Sequence, residues 1–119
     1  MKILAAGCTL DLTDYLNHIK KDYERFFDSD VFKDEVHNIE YVKDVVKKFG
    51  NELVVEPGNK YAKVITGTSV HSFIVIKATK GFAVGDILKA ASWKAPATNF
   101  ARGSIQKGDF SNVRWTGCL

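Results

Sequence analysis

The residue types best suited to binding a charged or unpaired partner are concentrated in the last third of the chain. Aromatic side chains alternate there with cations. The predicted site comprises Lys89, Trp93, Lys94, Phe100, Arg102, Lys107, Arg114 and Trp115. Cations contact phosphates, and aromatic rings stack on unpaired bases. The combination is typical of a surface that binds nucleic acid, with single strands favoured over duplexes.

The same residues support other interpretations. A basic surface also suits an acidic protein partner. An aromatic side chain such as Trp93 can instead anchor contacts between subunits. Alternatively, Trp93 and Trp115 close the open end of a sheet while the cations are solvated. The working hypothesis is a non-catalytic module in which Trp93 stacks on a base and phosphates meet Lys89, Lys94, Arg102 and Arg114.

His71 is a secondary candidate, because serines flank it closely in sequence. A Ser and a His in proximity can perform nucleophilic catalysis. In a regular strand, however, His71 and Ser72 point to opposite faces, and no carboxylate nearby in sequence would orient the ring. The other histidines, His18 and His37, have no metal-ligand spacing. We therefore predict no catalytic residue, no metal site and no cofactor, and enzyme chemistry has no positive support.

Composition and charge indicate one domain with a basic half. The 119 residues are 45% hydrophobic and 26% charged, which is ordinary for a globular domain. Residues 1–60 hold 9 Lys and Arg against 12 Asp and Glu, whereas residues 61–119 hold 8 against 2. This difference in charge between the two halves predicts an acidic, helical back of the domain and a basic face. No apolar run reaches the roughly 20 residues that span a bilayer.

The N-terminus resembles a signal peptide only superficially. The apolar part of Met1–Cys8 is shorter than the hydrophobic region of a secretory signal, so we expect a short buried strand or arm and a cytoplasmic protein without membrane contact. Cys8 and Cys118 form no CxxC motif and are expected to be buried or idle thiols. The sequence leaves the oligomeric state open.

Two apolar stripes at three- and four-residue steps predict two helices, 12–27 and about 31–49. After Gly50 the pattern changes to that of strands, separated by turns that contain glycine. The predicted strands are 53–55, 61–66, 70–77, 82–88 and 113–116. Residues 94–112 read as a long loop, a feature that is often functional. The expected fold is a two-layer α+β domain, 1–119, with helices (1–50) on a three- to five-stranded antiparallel sheet (51–119).

One segment is similar to a run found in small uncharacterised proteins encoded by bacteriophages. It comprises Val70–Ile74, then Gly85-Asp-Ile-Leu-Lys-Ala-Ala-Ser-Trp-Lys-Ala-Pro-Ala97, with Arg102-Gly103 following. The resemblance covers about 35 residues and leaves out the helical half. It implies a viral protein in a host cytoplasm that binds nucleic acid or a host protein, and it implies no established activity. In that context, the acidic partner would be a host enzyme that the chain blocks through its basic surface, and the subunit contacts would be those of a small virion component.

Overall fold

The computed structural model describes residues 2–5, 8–27, 48 and 52–119. The chain begins with an antiparallel hairpin of two strands, β1 (Lys2–Ala5) and β2 (Cys8–Asp11). Ile3 and Leu10 are paired in this hairpin, and both side chains are buried in the core. The expected N-terminal strand is therefore present, paired with the segment that follows it.

Helix α1 (Thr13–Phe27) follows directly, one residue from its predicted start. Asp11 holds the first turn, because its Oδ1 accepts hydrogen bonds from the Thr13 backbone N–H (3.0 Å) and hydroxyl (2.6 Å). The buried residues recur at the spacing of one helical face and are Leu12, Tyr15, Leu16 and Ile19. The predicted stripe is therefore the face that packs on the core.

The central element is a five-stranded antiparallel sheet, whose strands lie in sequence order. Its strands are β3 (Leu53–Pro57), β4 (Tyr61–Thr66), β5 (Ser69–Val75), β6 (Asp86–Lys89) and β7 (Gly103–Ser104). A small hairpin, β8 (Val113–Arg114) and β9 (Gly117–Cys118), ends the chain. The predicted antiparallel meander is confirmed. The connections between β3, β4 and β5 are short turns, which can join neighbouring strands only in an antiparallel arrangement.

The two faces of this sheet are covered differently. On the helix side, α1, the N-terminal hairpin and β8–β9 enclose the larger core, which includes Val64, Ile74 and Ile87. On the far side, a smaller cluster consists of Phe73, Val75 and Leu88. Ala90 and Ala101 pack against this second cluster, so both ends of the segment between them are anchored on the far side.

The predicted fold class, two N-terminal helices packed on a sheet, is wrong. Among the described residues, a single helix stands beside three antiparallel sheets. The second predicted helix, 31–49, lies outside the described residues except for Lys48. Hairpins β1–β2 and β8–β9 contribute to the helix-side layer, because very short strands can bury alternate side chains such as Ile3 and Val113. Within the described segments, no helix is long and apolar enough to cross a bilayer.

A glycine is required where β7 passes the 104–109 turn. A Cβ atom at Gly103 would overlap the Asp109 carbonyl oxygen and approach Ile87 Cδ1 to 3.2 Å. Gly108, in the same turn, has a φ of +64° but open space around the position of a Cβ. A side chain at Gly103 would thus meet steric overlap, whereas one at Gly108 would meet only backbone strain.

We expect Gly103→Ala to lower the free energy of unfolding by about 2–3 kcal/mol, as overpacking against fixed backbone does. Gly108→Ala, the matched control, costs only the left-handed conformation, about 1–2 kcal/mol. Urea unfolding followed by circular dichroism measures both. Equal stability of the two variants would contradict the close approach.

Candidate binding surface and the buried histidine

The predicted site divides into an exposed and a covered part. Trp93 and Phe100 are 49% and 55% exposed, so both rings are open to solvent. Four cations of the predicted site are exposed: Lys89, Lys94, Lys107 and Arg114. Arg102 is only 6% exposed. Trp115 is half-buried, and its ring meets Tyr23 of α1 edge-on with centroids 4.9 Å apart. Trp115 therefore belongs to the packing of the C-terminal hairpin on the helix.

The tip of the exposed part is a hydrogen-bonded turn. The Ala95 carbonyl accepts the backbone N–H groups of Ala91 (3.1 Å) and Ser92 (3.0 Å), and the Ser92 hydroxyl accepts the Ala95 N–H (3.2 Å). Ala97 N–H bonds the Lys89 carbonyl at 2.8 Å and returns the chain to β6. These bonds present Trp93 and Lys94 at the tip. The predicted loop 94–112 is thus built from turns and short strands, β7 among them.

A cation that the sequence prediction missed lies next to Trp93. Lys63 Nζ is 4.8 Å from the centre of the Trp93 ring, within the range of a cation–π contact. Lys63 pairs with Phe73 across the sheet, so both side chains lie on the far face. The alternating position of Lys63 in β4 was the available signal. We call Lys63, Trp93 and Lys94 the tryptophan surface.

The remaining cations do not join the tryptophan surface. Lys89 pairs with Ser72, whose side chain belongs to the helix side. Lys107 lies in the turn after β7, next to the Asp86 end of β6, whereas the Trp93 turn begins at the Lys89 end. Arg114 is in β8, on the helix side. The structure thus brings only part of the predicted site together.

A β-bulge changes the expected surroundings of His71. Val64 pairs with Ser72 and Ile65 with Val70, so His71 is the extra residue of β5. As a result, Val70 packs with the far-side cluster, while His71 Nδ1 lies 2.9 Å from Ser72 Oγ. The prediction that His71 and Ser72 point to opposite faces is wrong. An extra residue breaks the two-residue alternation on which that prediction depended.

His71 and Ser72 form a buried hydrogen-bond chain with Tyr15. His71 Nε2 is 2.6 Å from the Arg114 carbonyl oxygen, which can only accept, so Nε2 carries the proton. In the neutral ring, Nδ1 then accepts the Ser72 hydroxyl proton. Ser72 Oγ in turn accepts from Tyr15 OH, 2.5 Å away. The chain of donors therefore runs from Tyr15 through Ser72 to His71 and the Arg114 carbonyl.

Burial controls the protonation of this chain. It lowers the pKa of His71, although the Arg114 carbonyl opposes this effect. It raises the pKa of Tyr15 well above the usual range and that of the adjacent Cys118 thiol to about 11. Cys118 is a free, buried thiol, as expected. Ser72 is fully buried, so a substrate in solution cannot reach its hydroxyl group in this arrangement.

The described residues contain no group of three or more His, Cys, Asp and Glu side chains placed to hold a metal ion.

A family model described as a family of unknown function, DUF7717, matches residues 6–118. The chain belongs to this family. No curated protein and no solved structure matches the chain. The family description names no source or activity, so the resemblance to bacteriophage proteins stays a prediction.

The depressed pKa of His71 predicts how stability depends on pH. The unfolded chain, with a His pKa of about 6.5, binds a proton more readily than the folded one. The stability contributed by neutral His71 is therefore complete above about pH 6.5 and is lost progressively as pH falls toward the folded pKa. Urea unfolding at a series of pH values between about 5 and 8 measures this slope.

We expect His71→Gln to cost about 1–3 kcal/mol at pH 8, because it disturbs two buried hydrogen bonds, and to flatten the slope. His18→Gln is the matched control, since His18 Nε2 also bonds a carbonyl of the C-terminal hairpin, that of Val113 (2.9 Å). The slope should persist in this control but be shallower, because His18 contributes to the lowered pKa of His71. A slope that survives in His71→Gln would contradict the assignment.

Proposed function

We propose that this chain is a non-catalytic module that binds single-stranded nucleic acid on the tryptophan surface. The observation that carries the proposal is the position of Trp93, half exposed on a turn with Lys63 over its ring. Lys63 occupies one face of the indole and leaves the rest of the exposed ring for a base. Base–aromatic stacking suits any base, because every base has a π-face.

The cations supply contacts to the backbone of the strand. Lys94 is exposed next to Trp93, and Lys63 is on the adjacent sheet face. Glu56 of β3 lies opposite Lys63 of β4 and is exposed. Its carboxylate therefore repels phosphates on the β3 side of Lys63. The favoured path for a strand therefore crosses Trp93 and Lys94 on the side away from β3.

Phe100 extends the surface available to bases. It is 55% exposed and follows the Trp93 turn by a few residues. Two exposed rings on one segment, with two cations nearby at Lys63 and Lys94, match the composition of a weak, sequence-tolerant site. A strand whose phosphates pair with both cations would show a slope of log K against log salt of about −1.4.

The test uses the Trp115→Phe variant. The chain has two tryptophans, so all tryptophan fluorescence of this variant comes from Trp93. We expect mixed-sequence single-stranded DNA or RNA to quench its fluorescence at low salt, and the quenching to weaken as salt rises. Adding Lys94→Glu should raise the Kd by about tenfold, since a phosphate contact becomes a repulsion. Trp93→Ala, measured by anisotropy of labelled strand, should cost about 1–3 kcal/mol of stacking.

Lys107→Glu is the matched control, because it makes the same charge change in a turn next to the other end of β6. Its Kd should stay within about twofold of the parent protein. The proposal fails if folded protein shows no quenching at low salt. It also fails if Lys107→Glu weakens binding as much as Lys94→Glu, because that result would indicate general attraction to a basic half.

A further inference from the structure

Arg102 is a buried cation whose hydrogen-bonding capacity is largely unused. Its side chain is 6% exposed, and Nη2 donates to Asn99 Oδ1 at 3.2 Å. Nε and Nη1 are buried without a hydrogen-bond partner in the part of the chain that the structure describes. Because Nε carries one hydrogen and Nη1 two, three N–H donors are unfilled.

A buried guanidinium in this condition strongly favours an anionic partner. Removing a charge from water without pairing it is unfavourable, and each unfilled donor adds to that cost. No carboxylate among the described residues forms an ion pair with Arg102. The planar arrangement of guanidinium donors matches the oxygens of phosphate and carboxylate groups.

The surroundings of Arg102 add charge and a cover. The Arg102 N–H bonds the Ile87 carbonyl of β6, and the side chain of Lys89, two residues further along that strand, lies on its helix side. Two cations therefore lie along the same part of β6. Asn99 Oδ1 accepts from Arg102 and from the Phe100 N–H, which leaves the Asn99 Nδ2 group as a further donor. The Phe100 ring lies over the guanidinium, 3.9 Å from Cζ, and is itself more than half exposed.

We propose that Arg102, Lys89 and Asn99 form a phosphate-binding site that the Phe100 ring covers. A phosphate monoester carries close to two negative charges at neutral pH and so matches two cations, whereas a carboxylate matches one. Rotation of an exposed ring such as Phe100 is fast and opens the guanidinium to a ligand. The site shares Phe100 with the proposed surface for single strands but needs no base stacking at Trp93, so phosphate can bind here even if the proposed binding of single strands fails.

Isothermal titration calorimetry with inorganic phosphate at low ionic strength tests the site, with acetate as the carboxylate probe. We expect one phosphate per chain and an acetate Kd at least about tenfold higher. Arg102→Lys keeps the charge but loses the planar donors, and should raise the phosphate Kd at least about tenfold. Lys107→Ala removes an exposed cation outside the proposed site and should leave the phosphate Kd unchanged within about twofold.

Two further measurements keep the test independent of whether Arg102→Lys folds. In the unmodified protein, we expect the buried Nε–H of Arg102 to exchange slowly with water, unlike those of the exposed Arg25 and Arg114. Its ¹H–¹⁵N signal should shift as phosphate is added. Phe100→Ala removes the cover and should keep the phosphate Kd equal or lower it.

The outcomes separate clearly. Saturable phosphate binding that moves the Arg102 Nε signal supports the site. An unmoved signal, equal affinity for acetate, or no binding up to about 10 mM phosphate would overturn it. A tenfold rise of the Kd in Phe100→Ala would overturn the role of Phe100 as a cover.

Discussion

The hydroxyl group of Ser72 joins three separate parts of the fold. It accepts from Tyr15 of α1 and donates to His71, which in turn reaches the backbone of β8. Ser72 is fully buried, and in a low-dielectric interior such bonds are strong when every group is satisfied and costly when one is missing. The helix, the central sheet and the C-terminal hairpin are therefore held in one arrangement by a polar chain, in addition to the apolar contacts around it.

The bulge at His71 makes this chain possible and also divides the two faces of the sheet. With regular pairing, His71 would project to the far side, and the Arg114 carbonyl would lose its donor. The extra residue turns His71 to the helix side and leaves Val70 with the far-side cluster. That cluster, Phe73, Val75 and Leu88, supports both ends of the segment from Ala90 to Ala101, which carries Trp93.

Periodicity predicted the elements in which one repeat runs uninterrupted. The apolar stripe placed α1 within one residue, and the alternation in 61–66 matched β4 at both ends. The bulge was missed because an inserted residue leaves no mark in a strand that is buried on both faces. The hairpin β8–β9 was read as a single edge strand, since strands of two residues are too short to show alternation.

The candidate site was predictable in type but not in arrangement. Exposed lysines and an exposed tryptophan could be expected in a basic, turn-rich segment, and the turn at Trp93 places them together. Lys63 was missed because it comes from a distant strand and meets Trp93 only in the folded chain. Arg102 was expected among the exposed cations, since charged side chains are rarely buried without a partner. In the fold, the backbone of Arg102 is held against β6 by its N–H bond to the Ile87 carbonyl, and the Phe100 ring lies over its guanidinium.

The two kinds of cation suit two different electrostatic tasks. Lys94 and Lys63 carry compact charges on flexible stems, and ions screen exposed charges over about 10 Å at 0.1 M salt. Such charges follow a backbone without fixing its position. Arg102 is held by Asn99 and covered by Phe100, so its field acts over short distances with little screening and with fixed donor geometry. A phosphate at Arg102 would therefore bind with weaker salt dependence than a strand on the tryptophan surface, although both are attracted by positive charge.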